Sequence, residues 1–417
     1  MFCNMETRKI IIGSVCELNK ETIGSANSPQ VIRYLDTGSI TRNKIENIQL
    51  LDSHIAPFPS RAQRKVKKGT IIYSTVRPIQ EHFGYLENPE ANLIVSTGFL
   101  TIDVIDKELD PKFLYYSLTR KDLTNYLHTI AVNNVSSYPS INPDDLGNLE
   151  LEIPIDTKVQ QKIAAVLSAL DSKIEINNRI NAELEAMAKT LYAYWFVQFD
   201  FPDKNGKPYK TSGGRMVWNE ELKREIPKGN GWSVGTLLDI ADYANGLPCQ
   251  KFRPTGKEFL RVIKIREMNE GFSSNTELVR PNIPEKAIIE NGDVLFSWSA
   301  SLEVKIWTGG KGALNQHIFK VTSNNYPKSF YYYQLLNYLQ HFKMMAENRK
   351  TTMGHITQEH LQQSRIVISP KELTIELEKI IAPIFSKKMI NEIENKNLSE
   401  LRDWLLPMLM NGQVKVT

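Results

Sequence analysis

Ile163-Ala164-Ala165-Val166-Leu167-Ser168-Ala169-Leu170-Asp171-Ser172-Lys173-Ile174-Glu175-Ile176-Asn177-Asn178-Arg179-Ile180-Asn181 lies at the heart of a stretch, Pro154 to Pro202, that reads as one uninterrupted helix. Its seam positions alternate steps of four and three: Ile163, Leu167, Leu170, Ile174, Asn177, Asn181, Leu184, Ala188, Leu191 and Trp195. That is the repeat of a coiled coil. Thr157 and Gln160 stand at capping-box spacing, and Gly and Pro are absent from Ile155 to Phe201, so the start is specified and nothing breaks the interior. About 40 residues at a rise of ~1.5 Å make a rod of roughly 60 Å. The two Asn weaken the seam but fix register and partner orientation. A long core helix of an ordinary domain is the alternative for this stretch taken alone.

The chain around it has 417 residues, too many for one typical core. A hydrophobic content of 41% beside 24% charged residues is that of a soluble protein. The net charge of +4 permits a nucleic-acid partner without announcing one. Cys3, Cys16 and Cys249 are too few and too scattered for a disulfide framework or a zinc site. No apolar run approaches the ~20 residues that span a bilayer, and the N-terminus lacks the features of a signal peptide. The expectation is a cytoplasmic protein with no membrane partner.

The chain repeats itself. Ile12-Gly13-Ser14-Val15 is echoed by Leu237-Leu238-Asp239-Ile240, and Lys68-Gly69-Thr70-Ile71-Ile72-Tyr73-Ser74 by Asn291-Gly292-Asp293-Val294-Leu295-Phe296-Ser297. Pro111-Lys112-Phe113-Leu114-Tyr115-Tyr116 pairs with Pro327-Lys328-Ser329-Phe330-Tyr331-Tyr332, and Ile141, Leu146 and Ile153 recur as Ile356, Leu361 and Ile368. The order is kept and the offset stays at about 215 to 225 residues, which describes two copies of one module and not a solenoid.

Within each copy, strand-like runs (Gly69 to Val76, Leu93 to Ile105, Asp293 to Trp298, His317 to Thr322) precede a helical stretch opened by Pro111 or Pro327. The expected class is α+β, with mixed α/β domains near 1–153 and 230–368, each followed by a long helix, 154–202 and 369–413. In the second helix Ser369 is the expected N-cap, Pro370 the first helical residue and Glu372 its capping partner. Its seam of Ile380, Ile384, Ile390, Leu398, Leu401 and Leu405 is less regular, and Pro383 and Pro407 are expected to kink or end it. Residues 203–229 read as a linker, since Asp203 to Gly231 holds five Gly and two Pro.

Several of these residues carry a family resemblance. Gln161-Lys162-Ile163-Ala164, Leu170-Asp171 and Lys173-Ile174, followed by Leu191, Trp195-Phe196, Phe199, Pro202, Gly206-Lys207-Pro208-Tyr209-Lys210 and Ser212-Gly213-Gly214, closely resemble the central conserved region of type I restriction-modification specificity subunits. Leu405-Leu406-Pro407 to Met410-Asn411-Gly412-Gln413-Val414 is similar to their C-terminal conserved region. Trp232-Ser233-Val234 to Asp239-Ile240 is similar to the opening of a target recognition domain. One departure is Thr7-Arg8-Lys9-Ile10, which lacks the Trp that commonly opens the first domain.

The resemblance spans the chain and implies two target recognition domains separated by two long antiparallel coiled-coil helices, a pseudo-twofold repeat. Each domain would read half of a bipartite site in double-stranded DNA. Two methyltransferase (M) subunits and two restriction (R) subunits would join this non-catalytic chain, with S-adenosylmethionine, ATP and Mg held by those partners and no cofactor here.

Basic clusters suited to phosphate stand in each half: Arg61, Arg64, Lys65, Lys67 and Lys68 in the first, Lys251, Arg253, Lys257, Arg261, Lys264 and Arg266 in the second. Solvated faces beside ordinary strands are the alternative. Arg77, Asn315 and Gln316 follow echoed strands and are candidates for base contact, with turn chemistry and capping as the alternative. The aromatic helix end, Tyr192, Tyr194, Trp195, Phe196, Phe199 and Phe201, carries more apolar surface than one helix seam buries. By resemblance, Tyr192, Trp195, Phe196 and Phe199 would help bind the methyltransferase subunits; the alternative is packing against the second domain.

Catalytic motifs are missing. There is no Asp/Asn-Pro-Pro-aromatic tetrapeptide and no glycine-rich nucleotide loop. Pro202-Asp203 with Glu221-Leu222-Lys223 has the loose order of a nuclease carboxylate and lysine set, but lies in the Gly-rich segment. His355 and His360 lack a carboxylate at metalloprotease spacing. Gly309-Gly310-Lys311-Gly312 reads as a tight turn before the strand at His317. A single-chain nuclease or methyltransferase, or a coiled-coil scaffold unrelated to DNA, are the competing functions.

Overall fold

The structure is a computed structural model that describes residues 6–24, 29–134, 138–229, 231–299, 301–348 and 355–416. Cys3 lies outside the described residues. The chain divides into two compact units, one of Met1–Lys173 with Leu398–Thr417, the other of Ile174–Asn397.

In the first unit, one four-stranded sheet has the order Gln49–Asp52, Val31–Leu35, Leu93–Ser96, Ala62–Lys65. A second has the order Cys16–Leu18, Phe99–Val104, Ile71–Ser74, Phe83–Tyr85. Only Val31–Leu35 and Leu93–Ser96 run parallel within the two sheets. Strand Thr7–Ile11 pairs with Glu150–Pro154 as a separate ribbon that leads into the first long helix. The Thr7–Ile10 segment, which departs from the family pattern, is thus an ordinary strand. Pro111–Leu118 and Lys121–Asn133 form two helices where one was expected.

The second unit repeats this plan strand for strand. Its sheets are Leu278–Val279, Leu260–Ile263, Gly312–Leu314, Ile288–Ile289 and Asp242–Asn245, Ile318–Thr322, Val294–Ser297, Glu303–Ile306. Again one pair, Leu260–Ile263 with Gly312–Leu314, is parallel. Again a ribbon, Ser233–Gly235 with Ile366–Ile368, leads into a long helix. Helices Ile12–Val15 and Leu237–Ile240 occupy the first echoed tetrapeptides. Gly69 and Gly292, at the second echo, have φ of +87° and +91°, a region in which a Cβ is strained, so both turns call for glycine.

The first long helix runs Thr157–Tyr192, 36 residues, and ends in a π-helical turn, Ala193–Val197. Its cap differs from expectation. Asp156 accepts from the Lys158 amide at 2.8 Å, while Gln160 is buried and donates to the carbonyls of Pro154 and Glu108. Gln160 ties the helix start to the domain instead of closing a capping box. The second helix, Lys371–Met410, starts a residue later than expected, and the Ser369 hydroxyl turns to the Pro370 carbonyl.

Pro383 and Pro407 neither end nor interrupt this 40-residue helix. Pro383 and Lys379, whose carbonyl it leaves without a partner, both sit at exposed positions, where water satisfies the freed acceptor.

Within each unit the two helices pack antiparallel. In the first, Ile163, Ala164 and Leu167 share a core with Leu406, Leu409 and Met410. Beside them Arg402 donates to Asp171 at 2.7 Å, and Asp171 accepts from the Tyr116 hydroxyl. In the second, Asn177 donates to Glu394 and Asn395, Asn391 donates to Asn181, and Lys388 pairs with Glu185. Ala188 and Tyr192 share a core with Leu377 and Ile381.

The segment expected as a linker is folded. Met216–Asn219 pairs with Arg224–Pro227, Asp200 accepts from the Thr211 amide at 2.8 Å, and Phe201 stacks on Tyr209. Gly206 and Gly213, with φ of +74° and +89°, serve the turns ahead of this hairpin, whose own turn, residues 220–223, holds neither Gly nor Pro.

Candidate nucleic-acid interface

The first basic cluster does not form one patch. Arg61 precedes the strand Ala62–Lys65, and its carbonyl accepts from the Thr97 amide at 2.8 Å. Lys67 and Lys68 follow the same strand, and Lys67 lies 3.8 Å from Asp103 at the far end of its sheet. Four strand residues separate the groups by roughly 13 Å. Arg64 is half-buried and turns to the Asn19 carbonyl, and the loss of hydration lowers its pKa. Lys65 is half-buried on the strand; Arg61 and Lys68 are exposed, and none of these three has an ion pair among the described residues.

Arg77 joins Arg61 at one end of the first unit. The turn Thr97-Gly98 links the two sheets there: Thr97 binds the Arg61 carbonyl, and the Gly98 carbonyl accepts from the Thr75 amide at 2.9 Å. Two residues on, Arg77 has φ +47° and ψ +67°, and its amide donates to Pro139. Its guanidinium lies 5.7 Å from the centroid of the exposed Tyr138 ring. A single 3-10 turn, Pro78–Gln80, ends at Glu81, also left-handed with φ +57°. The Glu81 carboxylate is gripped by the Arg42 fork. Ile79 and Gln80 are exposed on this turn. Gln80 was not among the sequence candidates; a polar residue in a turn without glycine at the end of an echoed strand is the signal that points to it.

The corresponding end of the second unit carries different side chains. Trp298 donates its amide to the His317 carbonyl and its own carbonyl accepts from Ile356, as Thr75 does with Gly98 and Ile141. Its ring lies 5.5 Å from those of both His317 and His355, and its Nε1 donates to Asn245. Gln316 is half-buried with its amide nitrogen 3.3 Å from His317 Nε2. Asn315 is buried and its Oδ1 accepts from the His317 amide, so turn chemistry accounts for it and it presents no surface for a base.

The second basic cluster is likewise divided. Lys264 pairs with Glu277 at 2.7 Å, and Arg266 grips the buried Glu267 through two nitrogens. Each of these two cations already faces a carboxylate, unlike Lys251, Arg253 and Lys257 among the described residues. Arg261 lies over Phe272. Lys251, Arg253 and Lys257 are exposed ahead of the strand Leu260–Ile263 and have no ion pair among the described residues.

The aromatic helix end is core. Tyr192, Trp195, Phe196 and Phe199 are all buried in the second unit, packed against Phe330, Tyr333 and Trp232. Phe199 adopts φ +66° and is covered by the Arg224 guanidinium at 4.7 Å, while Arg224 donates to the Val197 carbonyl. The expected docking face is thus absent at these four residues: the folded hairpin and the helix Lys328–Asn348 supply the apolar partners that the helix seam alone lacks.

The nuclease-like set disperses. Asp203 accepts from Asn205 and Lys207 in a turn, Glu221 faces Arg365, and Lys223 pairs with Glu220. His360 accepts from the Thr357 amide as a helix cap, and Gly310 turns directly into the strand Gly312–Leu314. No group of three or more potential metal ligands occurs among the described residues.

A model of the type I restriction modification DNA specificity domain matches residues 4–186 and again 229–403. The chain is 27% identical to the type I restriction enzyme HindI specificity subunit of Haemophilus influenzae, over 93% of this chain and 95% of that one. It is 27% identical to the type I restriction enzyme MjaIX specificity subunit of Methanocaldococcus jannaschii, over 84% and 78%. Among solved structures, the type I restriction-modification system S subunit from M. genitalium shares the fold, with a TM-score of 0.55 at 16% identity, covering 99% of this chain and 98% of that one.

Proposed function

The chain belongs to the type I restriction-modification DNA specificity family, the DNA-recognition components of those systems, and we propose that each of its two units reads one half of a bipartite site in double-stranded DNA. The observation that carries this reading is the repeated topology with unlike side chains at the same end of each repeat: Arg61, Arg77 and Gln80 in one, Trp298, Gln316 and His317 in the other. One scaffold used twice with different contact residues suits a site whose halves differ in sequence. Lys251, Arg253 and Lys257 serve phosphate in the second unit. Each long helix has residues in both units, and the length of the pair sets the gap between the half-sites.

The chain acts with methyltransferase and restriction subunits. The complex holds two of each, and they supply S-adenosylmethionine, ATP and Mg; the chain contributes recognition and no chemistry. Among the described residues no helix is long and apolar enough to cross a membrane, in keeping with a cytoplasmic complex. The test compares the purified chain with the chain bound to its methyltransferase subunits. Sequence-specific methyl transfer by the complex, and neither transfer nor cleavage by the chain alone, is the expected result. Catalysis by the chain alone would favour a single-chain enzyme, and binding indifferent to DNA sequence and salt would favour a scaffold.

A further inference from the structure

We propose that the Arg77–Glu81 turn is the base-reading element of the first unit, with Arg77 and Gln80 as specificity-determining side chains and Arg42 as the residue that positions them. The proposal rests on the reading of the chain as a DNA-specificity subunit and names where that specificity resides.

Three observations meet at this turn. First, its backbone is held in a costly shape. Two residues other than glycine, Arg77 and Glu81, adopt left-handed conformations four positions apart, a backbone shape that persists only where the surroundings enforce it. Hydrogen bonds enforce it on every side: Arg77 to Pro139, Gln80 to Arg77, Glu81 to Pro78 and Arg42 to Glu81, all at 2.8 or 2.9 Å.

Second, the side chains the turn presents are those that read bases. Among the described residues the Gln80 amide has no protein partner and the Arg77 guanidinium no ion pair, and the guanidinium lies 5.7 Å from the centroid of the Tyr138 ring. Glutamine pairs in bidentate fashion with adenine N6 and N7, and arginine with guanine O6 and N7. Ile79, 47% exposed between them, matches a thymine methyl.

Third, the turn's one carboxylate, Glu81, is paired with the Arg42 guanidinium, which also faces Asp403 at 3.5 Å, while Arg61 and Arg77 stand at this end without a carboxylate partner among the described residues and supply the positive charge a polyanion would meet.

The test uses the complex of the full chain with its methyltransferase subunits and a pool of duplexes randomised at the recognised positions. Gln80→Ala and Arg77→Ala truncate exposed side chains. Each is expected to relax discrimination roughly tenfold or more at one or two positions of one half-site, with the other half unchanged. Arg42→Ala is expected to relax the same positions by loosening the turn, and Arg42→Lys, which retains one contact to Glu81, to restore part of the loss. A selective wild-type complex whose Gln80 and Arg77 variants keep the full motif, or lose affinity equally in both halves, would overturn the proposal. A wild-type complex without any motif would instead overturn the specificity-subunit reading beneath it.

Discussion

The side-chain amide of Asn391 donates to Oδ1 of Asn181 at 2.8 Å, with both residues buried between two antiparallel helices of the second unit. One turn away, Asn177 repeats the arrangement with Glu394 and Asn395. A polar pair inside an apolar seam is satisfied in only one register, so it selects that register over slipped alternatives.

Replacing Asn391 by Ala leaves the Asn181 acceptor buried and unpaired, and is expected to cost about 1–3 kcal/mol. Asn181→Leu combined with Asn391→Leu removes both polar groups and is expected to recover most of that loss. A thermodynamic cycle from urea unfolding measures the coupling. Additive single-site losses would show that the pair does not interact.

Tyr192 tests the nature of the aromatic helix end. Its hydroxyl is buried without a hydrogen-bond partner among the described residues, so Tyr192→Phe is expected to leave the melting temperature unchanged or raise it. Tyr192→Ala opens a core cavity and is expected to cost about 3–5 kcal/mol. Methyltransferase co-purification should fall only as far as folding does. A well-folded Ala variant that no longer binds the partner would restore the docking role.

The basic residues separate by their partners. Arg61→Ala is expected to flatten the slope of log affinity against log salt by ~0.9 for its one phosphate contact. Lys264→Ala and Arg266→Ala should leave the slope unchanged, because Glu277 and Glu267 already neutralise them. Filter binding across a range of salt concentrations would decide; equal slopes for Arg61→Ala and wild type would count against the assigned end of the first unit.

The repeat and the long helices were legible in the sequence because their causes are local. A left-handed turn calls for glycine at both Gly69 and Gly292, and a buried helix seam calls for apolar residues at steps of three and four. Features that depend on distant partners were not legible. Arg61 and Lys68 are close in sequence, but a strand carries them to opposite ends of a sheet. Lys264 and Arg266 read as free cations until Glu277 and Glu267 are placed beside them. Trp195 and Phe199 read as surplus apolar surface because composition conceals the hairpin Met216–Pro227 and the ring of Trp232 that help cover this end. Pro383 reads as a helix breaker because exposure, which decides whether its cost is met by water, is not written in the residue itself.

Helix length should translate into DNA spacing. Four residues inserted after Asn177, matched by four at Glu394, lengthen both helices by about 6 Å and rotate the helical segment beyond each insertion by roughly 40°. The preferred gap between half-sites is expected to grow by about two base pairs at ~3.4 Å each, with the same bases recognised in each half. An active variant with an unchanged gap would show that the helices do not set the spacing.

The central claim, that this chain confers recognition of a two-part site, is tested most directly by a genome-wide map of methylated adenines in cells that hold the methyltransferase subunits with and without it. The predicted result is methylation at a split motif, two unlike specific parts separated by a fixed non-specific gap, that disappears when the chain is removed. A continuous motif, or methylation that persists unchanged without the chain, would contradict it.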